Sequence, residues 1–271
     1  MSWSSTANLP YNISSATAAT DGDGNVVVMG GFRFTPSGID SVAKWNGSSW
    51  SMLPDLPTPR LEPVSASDSD GNIYVFGGAV EKWDGTSWSS IPSPSYSVSG
   101  AAGDNSGNIY TIGQEDASLG SVKKWNGSTW SSISDIPTPR KYVEAVSDND
   151  GNIYAIGGED SNDNTLATVE KWDGSSWSSI PDMLTAKNFP TATTDAAGDI
   201  YVFDSDGTGG QKWDGTDWSS IPSVPSVRSN MAIASDGDGD IYTIGGDTGV
   251  YTVEKFITPP PMPSDLQFSI Q

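Results

Sequence analysis

The sequence predicts an all-β protein: a six-bladed β-propeller of four-stranded antiparallel blades, the last blade closed by the N-terminal strand. Three observations predict it. A phrase at its clearest in D-G-N-I-Y-V-F-G-G from Asp70 and V-E-K-W-D-G-T-S-W-S-S-I-P from Val80 recurs in variant form six times. No segment sustains a 3.6-residue apolar period, which argues against helices. Short β-branched and aromatic runs alternate with Asp/Gly/Asn clusters, the punctuation of strands and turns.

The glycine that opens each I-Y run stands at Gly24, Gly71, Gly107, Gly151, Gly198 and Gly239, so the period varies between 36 and 47 residues. Constant motifs with variable spacers mean equal units joined by unequal loops. Strand a of each unit is small and alternating, as in Ala232-Ile233-Ala234-Ser235. An Asp/Gly/Asn cluster turns the chain into strand b, Ile73-Tyr74-Val75-Phe76 and its equivalents, rich in residues that suit a pleated surface. Strand c ends on a tryptophan in five units: Trp45, Trp83, Trp125, Trp172 and Trp213. Asn46-Gly47, Asp84-Gly85 and their counterparts predict a two-residue hairpin with φ > 0 at both positions. Strand d carries Trp50, Trp88, Trp130, Trp177 and Trp218. The sixth unit stops at Phe256 without a strand d, while Ser2-Trp3-Ser4-Ser5 matches Asp217-Trp218-Ser219-Ser220. The N-terminus therefore supplies the missing outer strand.

The Gly-Gly pair after strand b, with an aromatic on b and a tryptophan further on, resembles the kelch repeat. The resemblance covers residues 1–256 and rests on Gly30-Gly31, Gly77-Gly78, Gly157-Gly158 and Gly245-Gly246 in register. Gly113-Gln114 keeps one glycine and Asp204-Ser205 neither, which puts the tight turn after strand b of blade five in doubt. The resemblance implies either a binding module or, in a few members, an oxidase. Fold alone does not choose between them.

A chain of 271 residues can bury roughly 75% of its unfolded surface as one domain. Histidine and cysteine are absent, so no disulfide staples the fold. Thirteen basic against 34 acidic residues give −21, a field that makes nucleic acid and anionic membranes poor partners. No apolar run approaches the ~20 residues of a membrane span. The Ser/Thr/Gly/Asn/Asp richness suits an extracellular or viral appendage protein, yet no basic and apolar leader follows Met1. The economical reading is a virion component, made inside a host and released by lysis.

In a four-stranded meander, the a–b and c–d turns share one face of the disc and the b–c and d–a connections the other. Nearly half the acidic residues fall on the first face, in turns such as Asp68-Ser69-Asp70 and Asp236-Gly237-Asp238. They read as turn residues. A calcium role stays open, although the strings lack a bidentate Glu at loop position twelve; no other cofactor or metal is expected. On the second face, eight residues before each turn aspartate, stand Ile13, Arg60, Tyr96, Arg140, Lys187 and Arg228. This basic ring offers two readings. It could hold a carboxylate, sulfate or phosphate, or hydrogen-bond carbonyls of the neighbouring blade's loop. The resemblance adds that arginines in this region often contact acidic partners. The b–c loops, about 32–40, 115–120 and 159–167, vary most, the usual seat of specificity. Phe32, Arg33 and Phe34 form an aromatic–basic cluster suited to a sugar or peptide, or to packing the loop on its neighbour. Lys44, Lys82, Lys124, Lys171, Lys212 and Lys255 precede the strand-c aromatic and are expected to cover tryptophan with their stems.

Beyond residue 256, Pro259, Pro260 and Pro261 should stiffen an extended arm, followed by a strand-like alternation at Leu266, Phe268 and Ile270. We expect this tail to attach the protein to virion or cell-surface proteins by strand pairing.

Without His or Cys there is no Ser-His-Asp triad, thiol nucleophile or imidazole metal site, and the copper centre of kelch-type oxidases cannot be built. A carboxylate-pair glycosidase remains chemically open; Glu62 and Glu144 lie on or near strand a of blades two and four, but no pattern marks them as a pair. The sequence therefore reads as a non-enzymatic binding propeller on a virion, presenting its variable-loop face to a receptor or glycan. A secreted adhesion or protein-interaction module is the alternative.

Overall fold

The computed structural model describes residues 2–33, 38–115, 118–246 and 251–258. Its 24 strands form six four-stranded antiparallel sheets. The innermost strands are Thr17–Thr20, Val64–Ser67, Ser97–Gly103, Glu144–Ser147, Thr191–Thr194 and Ala232–Ser235. Neighbouring ones lie against each other around a central axis. Their Ala, Ser, Thr and Gly side chains are small enough for six strands to converge. The strand Trp3–Ser5 pairs with Val253–Phe256, aligning Trp3 with Phe256. The ring is thus closed by the N-terminus, as its sequence predicts.

Hydrophobic clusters form between blades. One joins Tyr242, Ile244 and Val253 of blade six to Val26, Val28 and Trp45 of blade one. The b strands are fully buried, as in Ile73–Phe76, except where that of blade three runs on to Gln114 and Glu115. The paired tryptophans stand opposite each other across the c–d hairpin, with Trp83 and Trp88 5.2 Å apart between ring centroids. The strand-d indole also reaches the preceding blade. Trp50, Trp88, Trp130, Trp177, Trp218 and Trp3 donate Nε1–H to the carbonyls of Ala7, Pro54, Pro92, Ser134, Pro181 and Pro222. Every blade boundary carries the same staple, so the tryptophan repeat is explained by assembly.

The c–d turn differs from its expected form. Asn46 N–H donates to Ser49 O, leaving Gly47 and Ser48 at the centre, and only Gly47 has positive φ (+89°). That is the II′ pattern. Asn46 Oδ1 accepts the Ser48 and Ser49 amides from the corner position. In blade five, the absent Gly-Gly pair is replaced by a turn closed from Gly207 N–H to Asp204 O at 2.8 Å.

Candidate functional site

The basic ring is an internal clasp. Arg60, Arg140, Lys187 and Arg228 are buried, Lys187 completely. Arg140 donates to Gly157 O, Thr138 O and Ala155 O and pairs with the buried Glu170 at 2.6 Å. Arg60–Glu81 and Arg228–Glu254 repeat the pair at 2.6 Å. The other blades exchange both members together. In blade five Lys187 meets Asp204 at 2.9 Å, while Gln211 takes the glutamate position and accepts from Leu184 N–H. In blade three the Tyr96 hydroxyl bonds Thr111, and Lys123 lies 5.0 Å over its ring. In blade one Ile13 and Ala43 share an apolar cluster. Partners that change in concert are fitting each other. Of the two readings, the geometry favours carbonyl bonding, but within the arginine's own blade and not to the neighbouring one. Gly77 and Ala79 accept from Arg60, Ala155 and Gly157 from Arg140, Thr243 and Gly245 from Arg228, and these bonds use donors that an outside anion would need.

Phe32 bridges Ser14 and Gly38, and Arg33 stacks 4.5 Å over Tyr11 and donates to Ser41. The loop thus packs on its own blade. Phe34 lies outside the described residues, as do Pro259, Pro260, Pro261, Leu266, Phe268 and Ile270. The chain stays on the acidic face as far as Thr258, whose N–H donates to Asp240 Oδ1 at 3.0 Å.

The acidic turns have a shared internal task. Asp68 Oδ1 accepts the Asp70 and Asn72 amides, and Oδ2 accepts the Asn72 side chain and the Tyr74 hydroxyl. Asp148 and Tyr154 repeat this, and Asp236 with Tyr242 follows closely. These donors occupy the lone pairs that a calcium ion would take. Among the described residues, no three His, Cys, Asp or Glu side chains group as metal ligands. Five of the repeated lysines lie over the strand-b tyrosines, as in Lys82 over Tyr74 at 5.4 Å and Lys171 over Tyr154 at 5.5 Å, while Lys44 stands opposite Val27. Their ammonium groups face the same aspartates, as in Lys171–Asp148 at 3.7 Å.

An axial cavity of about 470 Å³ opens on the loop face, at the entrance to the inner strands. Its volume falls in the ordinary range for small-molecule sites. Glu62, Ser99, Glu144, Phe189 and Asn230 line it, and among the described residues no lysine or arginine does. Ser15, Glu62, Tyr142, Phe189 and Asn230 hold equivalent places, two residues after the clasp position, with φ between 49° and 59°. Left-handed backbone is uncommon for non-glycine residues and a genuine outlier for bulky ones. It sets Phe189 (49% exposed) and Tyr142 (39% exposed) at the rim, stacked at 4.0 Å with a 30° interplanar angle.

Glu144 sits in the wall. Its one hydrogen bond among the described residues comes from the adjacent Ala145 N–H at 3.0 Å. Burial without a cationic partner raises its carboxyl to about 8. The sequence flagged Glu62 and Glu144, and both line the cavity. It missed Tyr142, Phe189 and Asn230, although their register two positions beyond the basic ring would have found them.

This architecture defines a six-bladed β-propeller. The motif is shown locally: residues 139–184 match the Kelch motif family model. Over the whole chain the fold resembles the solved structure titled "Structure of YjhT", with a TM-score of 0.70 and 17% identity, covering 92% of this chain and 95% of that one. No curated protein matches the chain in sequence.

Proposed function

We propose that this protein is a non-enzymatic binding propeller that engages its ligand through the loop face, at the axial cavity. One observation carries the reading. The cavity is walled by side chains left free of the repeated structural bonds, and its rim holds half-exposed aromatics in left-handed backbone. Strain of this kind persists where the surroundings impose it and clusters at ligand sites. The composition supports a virion surface, as an appendage or decoration protein, or another extracellular setting. Attachment would run through the segment after Thr258, a residue bonded to Asp240 on the acidic face, so that the loop face would point outward.

The test is binding of labelled protein to a panel of cells. A Ser99→Trp plug in the cavity should abolish binding, whereas Thr216→Trp on the opposite face should leave it intact, both variants melting like wild type. Unchanged binding by the plugged protein would sink the loop-face assignment.

A further inference from the structure

We infer that the axial cavity seats a neutral sugar, its pyranose ring laid against Phe189 and its hydroxyls bonded to Glu144 and the polar wall. This rests on the loop face being the binding face and goes on to name the ligand class.

The first argument is the aromatic column. Lys141 Nζ stands 5.1 Å over the Tyr142 ring, and Tyr142 stacks on Phe189. Phe189 lines the cavity and Tyr142 does not. The column therefore backs Phe189 from behind and ends at the cavity. A flat, rigidly supported aromatic surface with one polar side suits a ligand having an apolar C–H face and a hydroxylated edge.

The second argument is charge. Among the described residues the cavity wall has two carboxyl groups, Glu62 and Glu144, and no cation, in a chain of net −21. The basic side chains nearest this face are already paired within the fold, the clasp cations with their carboxylate partners and Lys141 with Glu159 and Asp163. An anionic ligand would meet repulsion without a paired donor, which selects a neutral polyol.

The third argument is unmet hydrogen bonding. Among the described residues, Glu144 has only its neighbour's amide as partner. Ser99, Thr191 and Asn230 line the same space, and no described protein group engages their side chains. Glu144 is held largely protonated at neutral pH, so it can donate as well as accept. Small hydroxyls around a recessed carboxyl make a polar rim for a sugar's edge, opposite the aromatic platform.

A glycan array carrying neutral, carboxylated and sulfated glycans tests this, using wild type, Phe189→Asn, Glu144→Gln and the Ser99→Trp plug. Asparagine tolerates left-handed backbone, so Phe189→Asn removes the ring while keeping the rim. Glu144→Gln retains a donor and an acceptor. Neutral glycans should bind wild type, weaken about tenfold or more in Phe189→Asn, and change much less in Glu144→Gln. Matching melting temperatures establish that the variants fold. Neutral-glycan binding indifferent to Phe189→Asn overturns the seat. Binding confined to carboxylated or sulfated glycans overturns the neutral assignment. If no glycan binds while the Ser99→Trp plug still abolishes cell binding, the sugar assignment fails and the loop-face reading stands. If cell binding survives the plug, the loop-face reading itself fails.

Discussion

Replacing Glu144 by glutamine should stabilise the protein in a pH-dependent way. The folded carboxyl is raised from its ordinary 4.5 to about 8 by burial, opposed only by the Ala145 amide. Below pH 4.5 it is protonated in both folded and unfolded chains, so ionisation contributes nothing to the difference. Between 4.5 and 8 the unfolded chain releases the proton and the folded chain keeps it. The folded state then binds more protons, and stability falls as pH rises. Above about 8 the loss is complete and constant. A tenfold change in proton affinity is worth about 1.4 kcal/mol, which sets a ceiling of about 5 kcal/mol on the loss. Because Glu144 borders a cavity open to water, screening reduces this to roughly 2 kcal/mol. That is a sizeable part of the ~5–15 kcal/mol that separates folded from unfolded domains. Glu144→Gln should therefore match wild type near pH 4.5 and exceed it by about 2 kcal/mol at pH 9. Urea unfolding of both proteins across that range measures the difference, and every other titrating group cancels in it. A gap of the same size at both ends would refute the reasoning, because it would show that Glu144 does not titrate differently on folding.

Two further outcomes follow from the clasps and the tail. Arg140→Met should cost about 3–5 kcal/mol, since it leaves Glu170 buried and charged, whereas Arg140→Met with Glu170→Leu should recover more than half of that; equal losses in urea unfolding would show that the pair is not the unit. Truncation after Thr258 should change stability by less than about 0.5 kcal/mol and leave loop-face binding intact while abolishing incorporation into the parent particle, and retained incorporation would remove the attachment role.

The ring was legible because its determinants are local and repeated. Asp68, Asn72 and Tyr74 are close enough in sequence for one phrase to encode a whole turn and its hydrogen bonds. Trp3 revealed the closure because it copies Trp218. The clasp was harder to read. Arg60 and Glu81 are separated by 21 residues and touch only once the blade is built, so the arginines alone leave an anion site and an internal bonding role both open. Their glutamates were visible one position before the repeated lysine, and the joint change to Lys187 and Gln211 marked the pairing within this one chain. The cavity rim was the least legible part. Tyr142 and Phe189 are separated by a full blade and meet only through the ring geometry. Both have left-handed φ just before an inner strand. A repeat therefore announces its scaffold residues by recurrence, while ligand-facing residues occupy one register and differ in identity. The place to look for function in such a chain is a register whose position is constant and whose side chain is not.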